Sequence, residues 1–224
     1  MIAALRWTLF LGLACGPVLA QDILPRADVP VGCLSTETVQ FRGCSVSHYY
    51  VCEQAPGHVF EVHVNGRGSM SLTQLDDELN MVLYAEPAER LIIRPDGTQK
   101  DPLSFTELME TGRDSYSEVQ IINDDMRIEI EGFDSLSGAS VVIDGRSLLI
   151  TDFAYTMKSA AGDLMAKVSG QQFADPARRH IYQGIFIDHL DEAGTVDNSP
   201  VDFIAEGEPG FGDLKPLYDC KATT

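Results

Sequence analysis

The chain has 224 residues, and its 34 Asp and Glu against 16 Lys and Arg give a formal net charge of −18. So acidic a surface repels phosphate backbones and anionic headgroups, which argues against nucleic-acid binding and peripheral membrane association and favours solubility. The only tryptophan is Trp7, so the remainder lacks the buried tryptophan of immunoglobulin-type sandwiches and the commonest stacking platform for sugars.

Residues 1–20 read as a secretory signal peptide. A single early cation, Arg6, precedes an apolar run from Trp7 to Ala14, a Gly16-Pro17 break and Val18-Leu19-Ala20, with cleavage expected before Gln21. The run is far shorter than the ~20 residues that span a bilayer, so the mature chain is expected to have no membrane span. Residues 21–31 read as a flexible tail, and 32–224, which no Gly/Ser-rich or Pro-rich linker divides, as a single domain. Loss of Cys15 with the signal leaves Cys33, Cys44, Cys52 and Cys220. That even number predicts two disulfides and a periplasmic or secreted location. Four cysteines permit three pairings. Cys33 with Cys44 and Cys52 with Cys220 is the favoured one, because the second bridge would tie the C-terminal tail to an early strand.

Ser47 to Gln54 alternates as a strand, and His58, Phe60, Val62 and Val64 give the next strand an apolar face, ended by the turn dipeptide Asn65-Gly66. Over 72–84 the Ser71-x-x-Gln74 capping box and the spacing of Leu72, Leu75, Leu79, Val82 and Leu83 predict a helix. Leu91 to Ile93 reads as a short strand, and Ser104-x-x-Glu107 announces a short helix that stops near Gly112. From Tyr116 strands follow in succession, at 117–122, 126–133, 140–143, 147–158, 163–173 and 180–189, joined by short turn-rich connections. Neighbours so connected pair antiparallel as a meander. The last three strands are long and carry interior glycines, Gly170 and Gly184, which favours a strongly bent sheet. The expected fold is therefore mainly β with one or two short helices, a curved antiparallel meander forming a barrel or half-barrel, with a β-sandwich as the alternative. After His189 the chain reads as an acidic loop.

No GxSxG, SxxK, HExxH, Walker, GxGxxG or EF-hand spacing occurs. His58 and His63 point to opposite faces of one strand, so they cannot share a metal. Asp188, Asp191, Asp197 and Asp202 could offer oxygen ligands to calcium, although their spacing matches no calcium motif. The concave face of a bent sheet would carry Phe153, Tyr155, Met157, Tyr182 and Phe186, a mixture of apolar and hydroxyl-bearing side chains suited to a ligand cavity or simply to a core. The architecture is similar at the level of fold to the half-barrels of periplasmic lipoprotein carriers and the closed barrels of lipocalins. The GxW signature of the latter is absent, and fold does not fix function.

These features lead to an exported, non-enzymatic binding or carrier protein, with an apolar small molecule, a lipid or an envelope protein as partner and no cofactor. The alternatives are a secreted hydrolase using carboxylates, with Glu129 and Glu131 or the 188–202 loop as candidates, and a purely structural or interaction protein.

Overall fold

The computed structural model describes residues 26–191 and 194–220. The signal peptide expected at 1–20 and the first residues of the expected tail lie outside them. Thirteen strands form one antiparallel sheet. They are β1 (Cys33–Phe41), β2 (Ser45–Cys52), β3 (Ala55–Asn65), β4 (Met70–Leu75), β5 (Met81–Glu86), β6 (Leu91–Pro95), β7 (Arg113–Ile122), β8 (Met126–Ile143), β9 (Arg146–Ser159), β10 (Leu164–Asp175), β11 (His180–Asp188), β12 (Thr195–Asp197) and β13 (Pro200–Ile204). From β1 to β12 each strand pairs with its successor, and β13 returns to pair with β1, so β12 and β13 are the two edges. The sheet is curved but not closed into a barrel. Among the described residues no helix is long and apolar enough to cross a membrane.

Strand partners share a face, so the register traces one continuous inner surface. It runs through Tyr49, Glu61, Thr73, Tyr84 and Ile93 on β2 to β6, and through Asp114, Asp134, Phe153, Gly170 and Phe186 on β7 to β11. The sheet rolls so far that the early halves of β9 and β11 tuck inside it. There Leu148 and Tyr182 pack with Val39, Phe41, Tyr49 and Phe203, all at most 7% exposed. The opposite face of the same tucked region, at Leu149, Ala174 and Ile181, packs under Leu75, Leu79 and Phe105. Both faces of these strands are therefore covered, and the outer face of β1 to β3 has a separate cover. The C-terminal segment supplies it, with Leu214 against Val46 and Val64.

The capping box at Ser104 does its expected work. Ser104 Oγ accepts the Glu107 amide at 3.1 Å, and Gly112 at φ 83° ends the helix α1 (Phe105–Thr111), a left-handed position that favours glycine. The matching signature at Ser71 does not, and the helix expected over 72–84 is instead β4 and β5. Asp76 decides this. Its carboxylate accepts the amides of Glu78 at 3.0 Å and Asn80 at 2.8 Å, closing a turn that lets β4 and β5 pair, and side-chain turn chemistry of this kind competes directly with helix. Two further corrections concern chain segments read as connections. Residues 134–139 lie within β8, with a register shift between Leu136 and Ser140, and the acidic region after His189 contains β12 and β13.

The disulfides are Cys33–Cys52 and Cys44–Cys220, which replaces the favoured pairing. Cys33 and Cys52 are cross-strand partners on β1 and β2, whereas Cys44 sits in the β1–β2 turn, where its amide donates to Tyr218 O at 3.0 Å and brings the C-terminal segment beside it. The tail is thus fastened to the early strands as anticipated, through a different cysteine. In the chain-entropy picture bridges closing loops of these lengths stabilise by about 3 and about 5 kcal/mol. Peptide mapping of the unreduced protein should return these two pairs, and C44S/C220S should lower unfolding free energy by about 2 to 5 kcal/mol in denaturant titrations.

Candidate functional site

Two polar groupings lie on the inner surface, and they differ in whether their charges are already paired. The first joins β1 to the tucked strands. Glu37, 5% exposed, accepts from Arg146 Nη2 at 2.8 Å and from the Tyr182 hydroxyl. Arg146 Nη1 also donates to the Tyr182 oxygen at 2.8 Å. Arg178 lies 3.4 Å from Glu37 and 3.7 Å from Asp175, so two guanidiniums neutralise two carboxylates. Burial and the nearby Glu37 push the Tyr182 hydroxyl well above its ordinary range. His180, whose ring meets Tyr49 and Tyr182 edge-on at 4.9 and 4.6 Å, is held below the usual imidazole range by burial. A hollow of about 510 Å³ opens here, lined by Glu37, Tyr49, Val59, Arg178 and His180.

Alongside it, Ser47 Oγ donates to Glu61 Oε1 at 2.5 Å and lies 2.9 Å from His63 Nδ1. This is not a catalytic triad. The serine is completely buried and stands between acid and imidazole, which are 4.0 Å apart, whereas a triad needs the imidazole in the middle.

The second grouping centres on Asp134. Its cross-strand neighbours are Asp114 and Phe153, and Leu75, Leu79 and Leu103, from the β4–β5 turn and the approach to α1, border with Tyr116, Tyr155, Gln172 and Ile181 a half-open pocket of about 180 Å³. Glycine at 132 lets Tyr116 lean across its own strand: a Cβ there would sit 2.6 Å from the Tyr116 ring, and Gly132 is the cross-strand partner of both Tyr116 and Tyr155. Glu78 holds the cover in place. It accepts from Ser104 Oγ at 3.1 Å, Thr106 N at 2.8 Å and Thr106 Oγ1 at 2.6 Å, and pairs with Arg179 at 2.9 Å. Although burial works against it, those Thr106 and Ser104 bonds and Arg179 keep Glu78 below its ordinary value.

Asp134 is 4% exposed. Among the described residues neither it nor the polar ends of Tyr116, Tyr155 and Gln172 has a hydrogen-bond partner, and the neighbouring Thr151 hydroxyl is buried without one. Burial, then the charge of Asp114, pushes the Asp134 carboxyl up to about 7. Asp114 is also raised by burial, while accepting the Ser104 amide at 3.0 Å.

Of the five expected ligand residues, Phe153, Tyr155, Met157 and Phe186 share the inner face. Phe153 stacks on Tyr155 at 6.2 Å and meets Phe186 at 5.3 Å. Phe153 and Tyr155 line the Asp134 cavity. Tyr182 does not join them. The register on β11 shifts opposite Gln172, where a Cβ on Gly184 would lie 2.2 Å from Gln171 O. The extra residue turns Tyr182 to the other face. The calcium candidates have other partners. Asp188 accepts the Leu190 amide at 2.8 Å, Asp197 the Ser199 amide at 2.9 Å and Asp202 the Tyr218 hydroxyl, and Asp191 follows β11 in the connecting loop. Among the described residues no three His, Cys, Asp or Glu side chains converge as a metal site. Glu129 and Glu131 are exposed, on the outer face of β8. No protein-family model matches the chain, and no curated protein or solved structure matches it at a significant level.

Removing one partner of a buried charge group strands the others, at a cost of about 3 to 5 kcal/mol. Glu37→Ala should therefore destabilise by that order in denaturant unfolding, and Glu37→Gln by less. Asp134 makes a prediction of opposite kind. Its folded pKa of about 7 exceeds the reference 3.8, so the native state binds this proton more tightly, and the contribution of Asp134 to stability is greatest at low pH and declines as pH rises from ~4 to ~7. The free protein should lose about 2 to 3 kcal/mol between about pH 5 and pH 8 through this group, and D134N should flatten the decline in unfolding titrations across that range.

Proposed function

We propose that the protein is an exported, non-enzymatic binding or carrier protein that works in the periplasm or outside the cell, after residues 1–20 have served as a signal peptide, and that the Asp134 cavity is its ligand seat. One observation carries this reading: a half-open pocket of about 180 Å³ with apolar and aromatic walls holds the buried Asp134 carboxyl and three half-buried polar groups that have no hydrogen-bond partner among the described residues. Buried polar groups are normally paired. In the Glu37 group each carboxylate lies within 4 Å of two guanidiniums, and that group serves as a join, while Asp134, Tyr116, Tyr155 and Gln172 keep their capacity for a guest. An engineered apolar cavity of about 150 Å³ holds benzene, so a molecule the size of one aromatic ring fits. The two disulfides are consistent with export.

A second reading, hydrolysis by carboxylates, draws on the raised Asp134 and Asp114 pair. Binding is preferred because Asp134 alone of the two lines the cavity, while Asp114 is committed to the Ser104 amide. Native mass spectrometry of protein taken from the periplasm of an expressing cell should show a small-molecule adduct or, on adding benzyl alcohol, one bound equivalent. Leu103→Trp, which fills the cavity from its half-buried rim, should abolish it. A clean unliganded mass that benzyl alcohol and other single-ring compounds leave unchanged defeats the reading, and turnover that vanishes in D134N would favour the hydrolase.

A further inference from the structure

The chemistry of the cavity wall narrows the guest beyond size. Among the described lining residues Asp134 is the sole carboxylate, and no Lys, Arg or His accompanies it. Arg179, at the cover, is committed elsewhere, paired with Glu78 at 2.9 Å and lying over the Phe105 ring at 5.1 Å, and Arg113 on β7 lies over the Phe133 ring at 3.9 Å. The charges that act on Asp134 and its neighbour are acidic: Asp114 on β7 acts on Asp134, and Glu107, Asp101 and Glu78 act on Asp114. Three aromatic rings, Tyr116, Phe153 and Tyr155, line the same space. Their faces carry the negative end of the ring quadrupole and attract cations. An anion entering here would meet negative potential on every side and find no donor stronger than a phenol or an amide. A neutral guest would leave Asp134 holding its proton and would draw nothing from the negative surroundings.

We propose that the ligand class is small organic ammonium ions, with the apolar body against Phe153, Leu79 and Leu103 and the cationic head against the Asp134 carboxylate. This rests on the reading of the cavity as the ligand seat. The formal charge of −18 adds to the preference at a distance, since a field of that sign concentrates cations and speeds their arrival. The device also has a built-in pH dependence. An ammonium head favours the charged form of Asp134, so binding near neutrality displaces the proton that the empty cavity retains. Affinity for an amine rises with pH until Asp134 is fully ionised, and affinity for an uncharged isostere does not.

Benzylamine, which is protonated at neutral pH, benzyl alcohol and benzoate have nearly the same size and differ in charge, so calorimetry with the three on the full mature chain tests the inference. At about pH 8 benzylamine should bind at least tenfold more tightly than benzyl alcohol, and benzoate should not bind. The amine preference should shrink towards parity at about pH 5.5 and be lost at both pH values in D134N, whose side chain keeps the shape of the carboxyl. Buffers of different ionisation enthalpy should reveal proton release when benzylamine binds near pH 7. If benzyl alcohol binds as tightly as benzylamine to the unmodified protein at pH 8, the ammonium assignment is wrong although the cavity remains the seat. If none of the three binds at either pH, both readings fall. Should D134N not fold, the pH dependence and proton release of the unmodified protein decide alone, and a pH-independent amine affinity overturns the proposal.

Discussion

The structure depends on one buried join, the meeting of Glu37 with Tyr182, Arg146 and Arg178. A meander of this length has no intrinsic reason to roll until its ends overlap, and the β8–β9 and β10–β11 hairpins would be free to splay outwards if only apolar contacts drew them in. Glu37 instead demands partners that only the tucked strands supply. Net stability gained from such a buried ionic group is modest, because desolvation consumes most of the attraction, but a misplaced strand would strand charges and is heavily disfavoured. The join therefore selects one degree of roll. With the early part of β11 fixed between Tyr49 on one side and the β4–β5 turn on the other, the space beneath Leu79 and Leu103 has a definite size.

Much of this was legible in alternation and turn chemistry. The strands from Tyr116 onward announced themselves because one face is apolar and each connection is short and rich in Asn, Asp and Gly. Where outer faces are also buried, the signal weakens. Strand β1 hides Thr38 and Gln40 under the C-terminal segment, where Gly212 N donates to Thr38 Oγ1 at 2.8 Å and Gln40 exchanges bonds with Lys215 O and Leu217 N. Those polar residues read as exposed in a sequence, yet they are buried and paired. The leucines of 72–84 mislead in the opposite way. Their helical spacing is an accident of two strands joined by a turn, and the decisive residue, Asp76, acts through its side chain.

The site was half legible for related reasons. Phe153 and Tyr155 follow from strand parity, since nothing interrupts the register of β9 near them. Tyr182 does not, because a one-residue shift on β11 reverses which face it occupies, and parity cannot be counted across an unseen bulge. Asp134 was missed because an Asp followed by Ser and Gly is a turn signature. Here β8 carries straight on, so the carboxyl is trapped among aromatic and leucine side chains. The glycine two residues earlier, Gly132, is the only local sign that something large leans across that position.

The two edge strands have a consequence for how the molecule comes into being. Strands β12 and β13 are only three and five residues long, and they are neighbours in sequence, separated by Asn198 and Ser199, yet they sit on opposite margins of the sheet. The exposed ladder of β1 thus waits for partners some 160 residues downstream, such as Ile204 for Thr38. Contacts of such long range slow folding, and an unpaired strand is a template for aggregation until it is covered. Folding therefore completes last at the strand made first, and a chain truncated before residue 200 would present β1 bare to its neighbours.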